Sequence, residues 1–279
     1  MIKSLTSLRL ICLLLLGSSV LAQQTKQKPP VQETKAAVKK KVKTKFFGKK
    51  PIPFINTALT FAGPMNKIGR DGIQCDLPAA VSGKDGKALI SYLEWDGKTD
   101  RLILSRKIKK GFQQVSADVA KGVLHKPAIA IDGKGTAWIF WSETHGDTTV
   151  DLKARSWSAS KGFGSPLTLA DSDAAEAFVV AGTDSNGRVW ASWQSFRAGE
   201  ADIYARFLDP KSGKWSKEIA VATQQGGDWE PSIAFDQKGQ ASIAYDSSRG
   251  NEFNLNLARV NDQGQTREFA IAHSPKYEA

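Results

Sequence analysis

From residue 86 onward one pattern of apolar and polar positions returns four times. GKALISY (86–92), GTAWIFW (135–141), GRVWASW (187–193) and GQASIAY (239–245) all read glycine, any residue, Ala or Val, any residue, Ile or Ala, any residue, Trp or Tyr. Within the second copy, Ala137, Ile139 and Trp141 share one face of an extended chain, and Thr136, Trp138 and Phe140 share the other. Both faces are largely apolar, which predicts a strand packed between two neighbours. A short apolar run precedes each copy: PAAVSGKD, PAIAIDGK, AFVVAGTDSN and PSIAFDQK. A third run follows, ending in arginine at 106, 155, 206 and 259, and then a fourth: FQQVSA, SPLTLA, KEIAVAT and REFAIAH. Each glycine falls in the tight turn between first and second runs, where a positive φ is useful.

Four strands per unit, with glycines 49, 52 and 52 residues apart, predict an all-β chain. The expected fold is a β-propeller of four-stranded antiparallel blades, at about 76–123, 125–172, 175–224 and 229–274. No stretch reads as a long amphipathic helix, and a sandwich does not need four copies of one unit. The terminal aromatics Tyr92, Trp141, Trp193 and Tyr245 are read as core, filling the seams between blades. FINTALTFA (54–62) looks like one extra N-terminal strand beside the four complete repeats. Either the ring closes with four blades and this strand caps an edge, or further blades come from a partner chain or a longer protein. An open propeller exposes strand edges and invites self-association.

The ends are of different material. Residues 1–22 carry Lys3 and Arg9, an apolar run from Leu10 to Leu16 and Val20-Leu21-Ala22 before Gln23, the arrangement of a secretory signal peptide. The chain is therefore expected to be secreted or periplasmic. Residues 23–50 hold ten lysines and one glutamate with no apolar periodicity, and are read as a disordered basic tether. Such a tether suits an anionic polymer or a membrane surface. Residues 51–279, assigned to the propeller, carry 27 basic and 27 acidic residues, so the high isoelectric point belongs to the ends and nucleic acid is not an expected partner. Loss of the leader removes Cys12 and leaves Cys75 without an internal partner. The domain is then held by its core rather than by disulfides.

The units resemble the bacterial sialidase-like and TolB-like propeller superfamily. The hairpin at 127–141 and the third strand DIYAR at 202–206 carry the resemblance, which spans about 75–275 and specifies blades rather than an activity. Sialidases carry Asp-boxes, S-x-D-x-G-x-x-W. Here the nearest match, TDSNGRVW (183–190), has Ser185 in place of the aspartate and falls on the first-to-second strand turn instead of between third and fourth strands. It is not counted as an Asp-box.

In a propeller, the loops before each first strand and after each second strand share one face. That places Glu94, His125, Glu143, Glu176, Trp229, Glu230, Asp246 and Arg249, with Arg70, around one mouth, the expected ligand site. The four repeated arginines obey the repeat and are read as blade-surface residues, since a catalytic cluster breaks a repeat and a structural residue follows it. The histidines 125, 145 and 273 are scattered, and Asp171, Asp173, Asp96 and Asp100 lack a calcium-loop signature. No cofactor motif, phosphate loop or nucleophile elbow is present, so neither a metal nor a cofactor is expected. The favoured expectation is an exported, non-catalytic propeller that binds a glycan, cell-wall polymer or envelope protein through its loop face. One alternative is a sialidase-like carbohydrate hydrolase or lyase using the mouth carboxylates. Another is an envelope scaffold held by its basic tail.

Overall fold

The computed structural model describes residues 68–272, apart from positions 84, 147, 148, 198, 250, 251 and 262. The expected leader, tether and extra strand at 54–62 lie outside the described residues. Among the described residues there are eighteen strands and no helix. They form four successive antiparallel sheets. The first is β1 (Gln74–Ser82), β2 (Ala88–Trp95), β3 (Asp100–Lys107) and β4 (Phe112–Gly122), paired in chain order. The second runs β5 (Ala128–Ile131), β6 (Ala137–His145) and β7 (Thr149–Ser158), with its fourth strand split into β8 (Gly162–Phe163) and β9 (Leu167–Ala170). The third has the same plan: β10 (Glu176–Thr183), β11 (Val189–Ser195) and β12 (Asp202–Asp209), then β13 (Lys214–Trp215) and β14 (Ile219–Ala222). The fourth is β15 (Gly227–Phe235), β16 (Ala241–Arg249), β17 (Glu252–Val260) and β18 (Thr266–Ala272).

The first strands lie side by side: β1 against β5, β5 against β10, β10 against β15. No comparable contact from β15 to β1 is present among the described residues. The apolar faces read from the sequence close the seams between sheets. Phe140, Leu152 and Ala154 of the second sheet pack with Val189, Ala191 and Trp193 of the third, and Trp190, Ile203 and Ala205 of the third with Ile243, Tyr245 and Ala258 of the fourth. All four repeat aromatics are buried, as core residues should be.

The first-to-second strand turns sit at one end of each sheet, and an acidic residue builds three of them. Asp132 Oδ1 accepts from the amides of Lys134 and Thr136, Asp184 Oδ1 from Asn186 and Arg188, and Asp236 Oδ1 from Lys238 and Gln240. Gly187 adopts φ +79° in its turn, and a Cβ there would stand 2.8 Å from the Cα of Gly133. The turns of the second and third sheets therefore touch backbone to backbone, with Gly133 N donating to Gly187 O at 3.1 Å. Asp184, in the stretch resembling an Asp-box, also accepts from Trp190 Nε1 at 3.0 Å and pairs with Arg188, which makes it a turn anchor.

Of the repeated arginines, Arg106 and Arg259 are on the blade surface as expected. Arg155 does more. Its guanidinium donates to Gly164 O at 2.8 Å and across the seam to Val119 O at 3.0 Å, tying the second sheet to the first.

Candidate functional site

At the opposite end of the sheets, each first strand carries an irregularity facing the repeat aromatic. Register jumps from Asp76↔Leu93 to Ala79↔Ser91, from Ala177↔Gln194 to Val180↔Ser192, and from Trp229↔Asp246 to Ser232↔Ala244. Two first-strand residues thus oppose one aromatic, Tyr92, Trp193 or Tyr245, which is a β-bulge. In the second sheet Lys126 and Pro127 occupy the same place opposite Trp141, between the Leu124↔Glu143 bridge and the Ala128↔Phe140 pair. The bulge makes room for the large ring that ends each repeat. Its first residue takes φ +51° at Leu77, +54° at Phe178 and +50° at Glu230, a left-handed conformation that non-glycine residues seldom adopt. All three side chains are exposed, as is Lys126.

Just beyond the bulge lies a second constant feature. Each sheet holds one carboxylate at the same cross-strand level: Glu94 opposite Cys75, Glu143 opposite Leu124, Glu176 opposite Ser195, and Asp228 opposite Ser247. Glu94, Glu176 and Asp228 are fully buried, and each is held by an arginine. Arg70 reaches Glu94 Oε2 at 2.7 and 3.1 Å. Arg197 donates to Glu176 at 2.9 Å, alongside Ser195 Oγ at 3.2 Å, the indole of Trp193 and the hydroxyl of Ser172. Arg197 also grips Glu218, and these two carboxylates raise its pKa. Arg249 pairs with Asp228 at 3.2 Å and with Glu268 at 2.7 Å. Glu143, partly exposed, accepts from Trp141 Nε1 at 3.1 Å. The level recurs in every sheet, but the carboxylate comes from the second strand in the first two sheets and from the first strand in the last two. Glu94, Glu176 and Arg249, all expected at the mouth, are committed to partners within the chain.

Two of the expected residues break the repeat. The position after the aromatic reads Leu93, Ser142, Gln194 and Asp246, and the bulge position reads Leu77, Lys126, Phe178 and Glu230. Only the fourth sheet is acidic at either. Asp246 is half-buried, and burial together with the charge of Glu230 holds its carboxyl above the usual range. Glu230 is exposed, and its amide donates to Gln194 Oε1 at 3.2 Å, so the buried Gln194 of the third sheet pins the fourth sheet's bulge. Sequence reading missed Gln194. The available signal was that it occupies the Asp246 position of its own repeat.

The remaining expected residues are placed differently. Trp229 stacks on Phe253, ring centroids 6.1 Å apart, and its indole covers Gly227, so it is engaged by its own sheet. His125 Nε2 lies 2.9 Å from the Thr144 hydroxyl, and burial pushes its pKa down. Two acids outside the expected set, Asp202 and Asp228, meet in the seam between third and fourth sheets, where Asp228 N donates to Ala201 O at 2.7 Å. Burial raises both pKa values, and the charges of Asp228 and Glu200 raise Asp202 further. A carboxyl raised on folding favours the native state below its unfolded pKa, and that contribution is lost as pH rises through the folded one. Asp202→Asn is therefore expected to raise the Tm at pH 7 by about 3 °C. A thermal melt series should show that advantage vanishing near the ordinary aspartate pKa of about 4. An equal advantage at both pH values would refute the assignment.

No family model matches the chain, and no curated protein sequence matches it. Solved structures do share its fold. A protein of unknown function from Dyadobacter fermentans aligns over 70% of this chain and 68% of its own, with TM-score 0.53 and 13% identity. An α-L-arabinofuranosidase from Fusarium graminearum, solved with an iminosugar inhibitor, aligns over 72% and 67%, with TM-score 0.52 and 13% identity. The intramolecular trans-sialidase of Ruminococcus gnavus, solved with oseltamivir carboxylate, aligns over 72% and 71%, with TM-score 0.53 and 9% identity. At these identities the likeness establishes the fold, and the resemblance to sialidase-like blades holds at that level. It also corrects the favoured expectation of a non-catalytic binding propeller, because two of these three structures are enzymes of sugar chemistry.

Proposed function

We propose that the four sheets are propeller blades whose loop face forms the mouth of a glycoside-cleaving enzyme, with Asp246 and Glu230 as its working carboxylates. The observation that carries this reading is that Asp246 and Glu230 stand in columns, Leu93–Ser142–Gln194–Asp246 and Leu77–Lys126–Phe178–Glu230, in which the other three sheets carry no acid. Their environments also differ in the way acid and base roles require. Asp246, half-buried beside another carboxylate, retains its proton to higher pH and serves as the acid. It protonates the glycosidic oxygen as the bond to the anomeric carbon breaks. Glu230, exposed to solvent and pinned through its backbone, serves as the base. It takes a proton from the water that adds to that carbon. In this reading residues 1–22 export the chain and residues 23–50 hold it near an anionic polymer.

The test is release of product from aryl glycosides and polysaccharides by the full chain, with an α-L-arabinofuranoside and an α-sialoside among the first substrates. Turnover of one of them that depends on Asp246 supports the reading. No turnover across the panel refutes it.

A further inference from the structure

The bulge positions carry information that the carboxylates do not. Their backbone is shared by three sheets, opposite the repeat aromatic, displaced from the ladder and left-handed at Leu77, Phe178 and Glu230, while Lys126 takes the corresponding place opposite Trp141 without the left-handed φ. Their side chains differ: they are leucine, lysine, phenylalanine and glutamate. A shared scaffold that holds unlike exposed side chains at corresponding positions is how a repeat protein builds a recognition surface. The strain has a structural origin in seating the aromatic, but seating requires nothing of the side chain. Glycine would satisfy the φ without strain at all three positions and stands at none of them.

Phe178 is the residue with the most to explain. It lies within β10, flanked by β5 and β15 and hydrogen-bonded to β11, yet 41% of it is exposed. Lys126 and Glu230 hold the corresponding positions in the sheets of β5 and β15, the strands that flank β10. We infer that Phe178 is a substrate-positioning platform on which the apolar C–H face of a sugar ring stacks, with Lys126 donating to ring hydroxyls on one flank and Glu230 facing the bond to be cleaved on the other. Aromatic faces suit this task because a sugar ring has one face of C–H groups, and stacking orients it without using up the polar groups that hold its hydroxyls. The inference names a positioning residue for the proposed reaction and so rests on that reading for its chemistry, though not for its binding test.

The experiment uses the full chain carrying Asp246→Asn, so that a bound glycan is not consumed, on a printed array of neutral and acidic oligosaccharides, followed by calorimetric titration of the best-bound one. Adding Phe178→Ala or Phe178→Gly should weaken binding about tenfold or more, and Phe178→Trp should restore it. The two truncations should differ in stability in the unusual order, the glycine variant melting above the alanine variant, because the site is left-handed. That order reports the backbone and is independent of any ligand. Binding kept within twofold by both truncations overturns the platform, and so does an array on which nothing binds. Phe178-dependent binding without turnover by the unsubstituted chain leaves the platform standing and removes the hydrolase. Turnover without Phe178-dependent binding does the reverse.

Discussion

Asp246→Asn is expected to lower turnover of the cleaved glycoside by about 10²–10⁴-fold, the usual contribution of a positioned general acid. Its Tm should not fall, and at pH 7 should rise slightly, because the half-buried carboxyl carries the same kind of ionisation cost as Asp202 and asparagine keeps its shape. Glu230→Gln should cause a loss of similar order. The pair also makes a prediction that needs no substrate. Burial and the negative charge of Glu230 raise the Asp246 pKa. Removing that charge must lower it, so a carbon NMR titration of the Asp246 carboxyl should show its midpoint at lower pH in Glu230→Gln than in the unsubstituted chain. A midpoint that stays put would mean the two carboxylates do not feel each other, and the acid and base assignment would fall. By contrast, Glu143→Gln removes a carboxylate of the second sheet, which is not among the charges acting on Asp246, and should leave the Asp246 midpoint where it is.

The second large effect concerns stability. Arg197→Ala takes the guanidinium from Glu176, whose side chain is fully buried, and from Glu218. Removing one partner of a buried pair leaves a charge out of water, at a cost of about 3 kcal/mol. Glu176 keeps its serine and indole donors, which holds the figure at the lower end of what such deletions cause. The Tm should fall by about 10 °C. Joining it to Glu176→Gln should recover a large part of that loss, because a neutral amide can use the donors that remain. If the double variant is no more stable than Arg197→Ala alone, the buried charge is not what the arginine supports.

The strand plan was legible because its signals are local. A glycine turn, two-residue alternation and a closing aromatic predicted hairpins at each copy, and sheets stand where those runs fall. The bulges were not legible. Nothing in Leu77-Pro78, Phe178-Val179 or Glu230-Pro231 announces a left-handed residue, since the bulge is a property of the cross-strand register and not of the residue that adopts it. The arginine clamps were hidden for a related reason. Arg70 and Glu94 are 24 residues apart and Glu176 and Arg197 are 21 apart, and only the folded register brings them together. Without the clamps, the acids at the mouth looked equivalent. Trp229 invited a reading as a sugar platform from its neighbours in sequence, but in the fold its ring stacks with Phe253 of β17, two strands away in the same sheet. The distinction between Asp246 and the rest was present in the sequence all along, in the column Leu93, Ser142, Gln194, Asp246. It became informative only when the sheet register showed that the column is real.

The most direct measurement is a crystal structure of the full chain carrying Asp246→Asn with an oligosaccharide that the unsubstituted protein cleaves. The expected result is a scissile oxygen within hydrogen-bonding distance of the substituted side chain at position 246, Glu230 on the opposite side of the anomeric carbon, and a sugar ring over Phe178. A sugar bound elsewhere on the sheets, with Glu230 and position 246 facing only water, would contradict it.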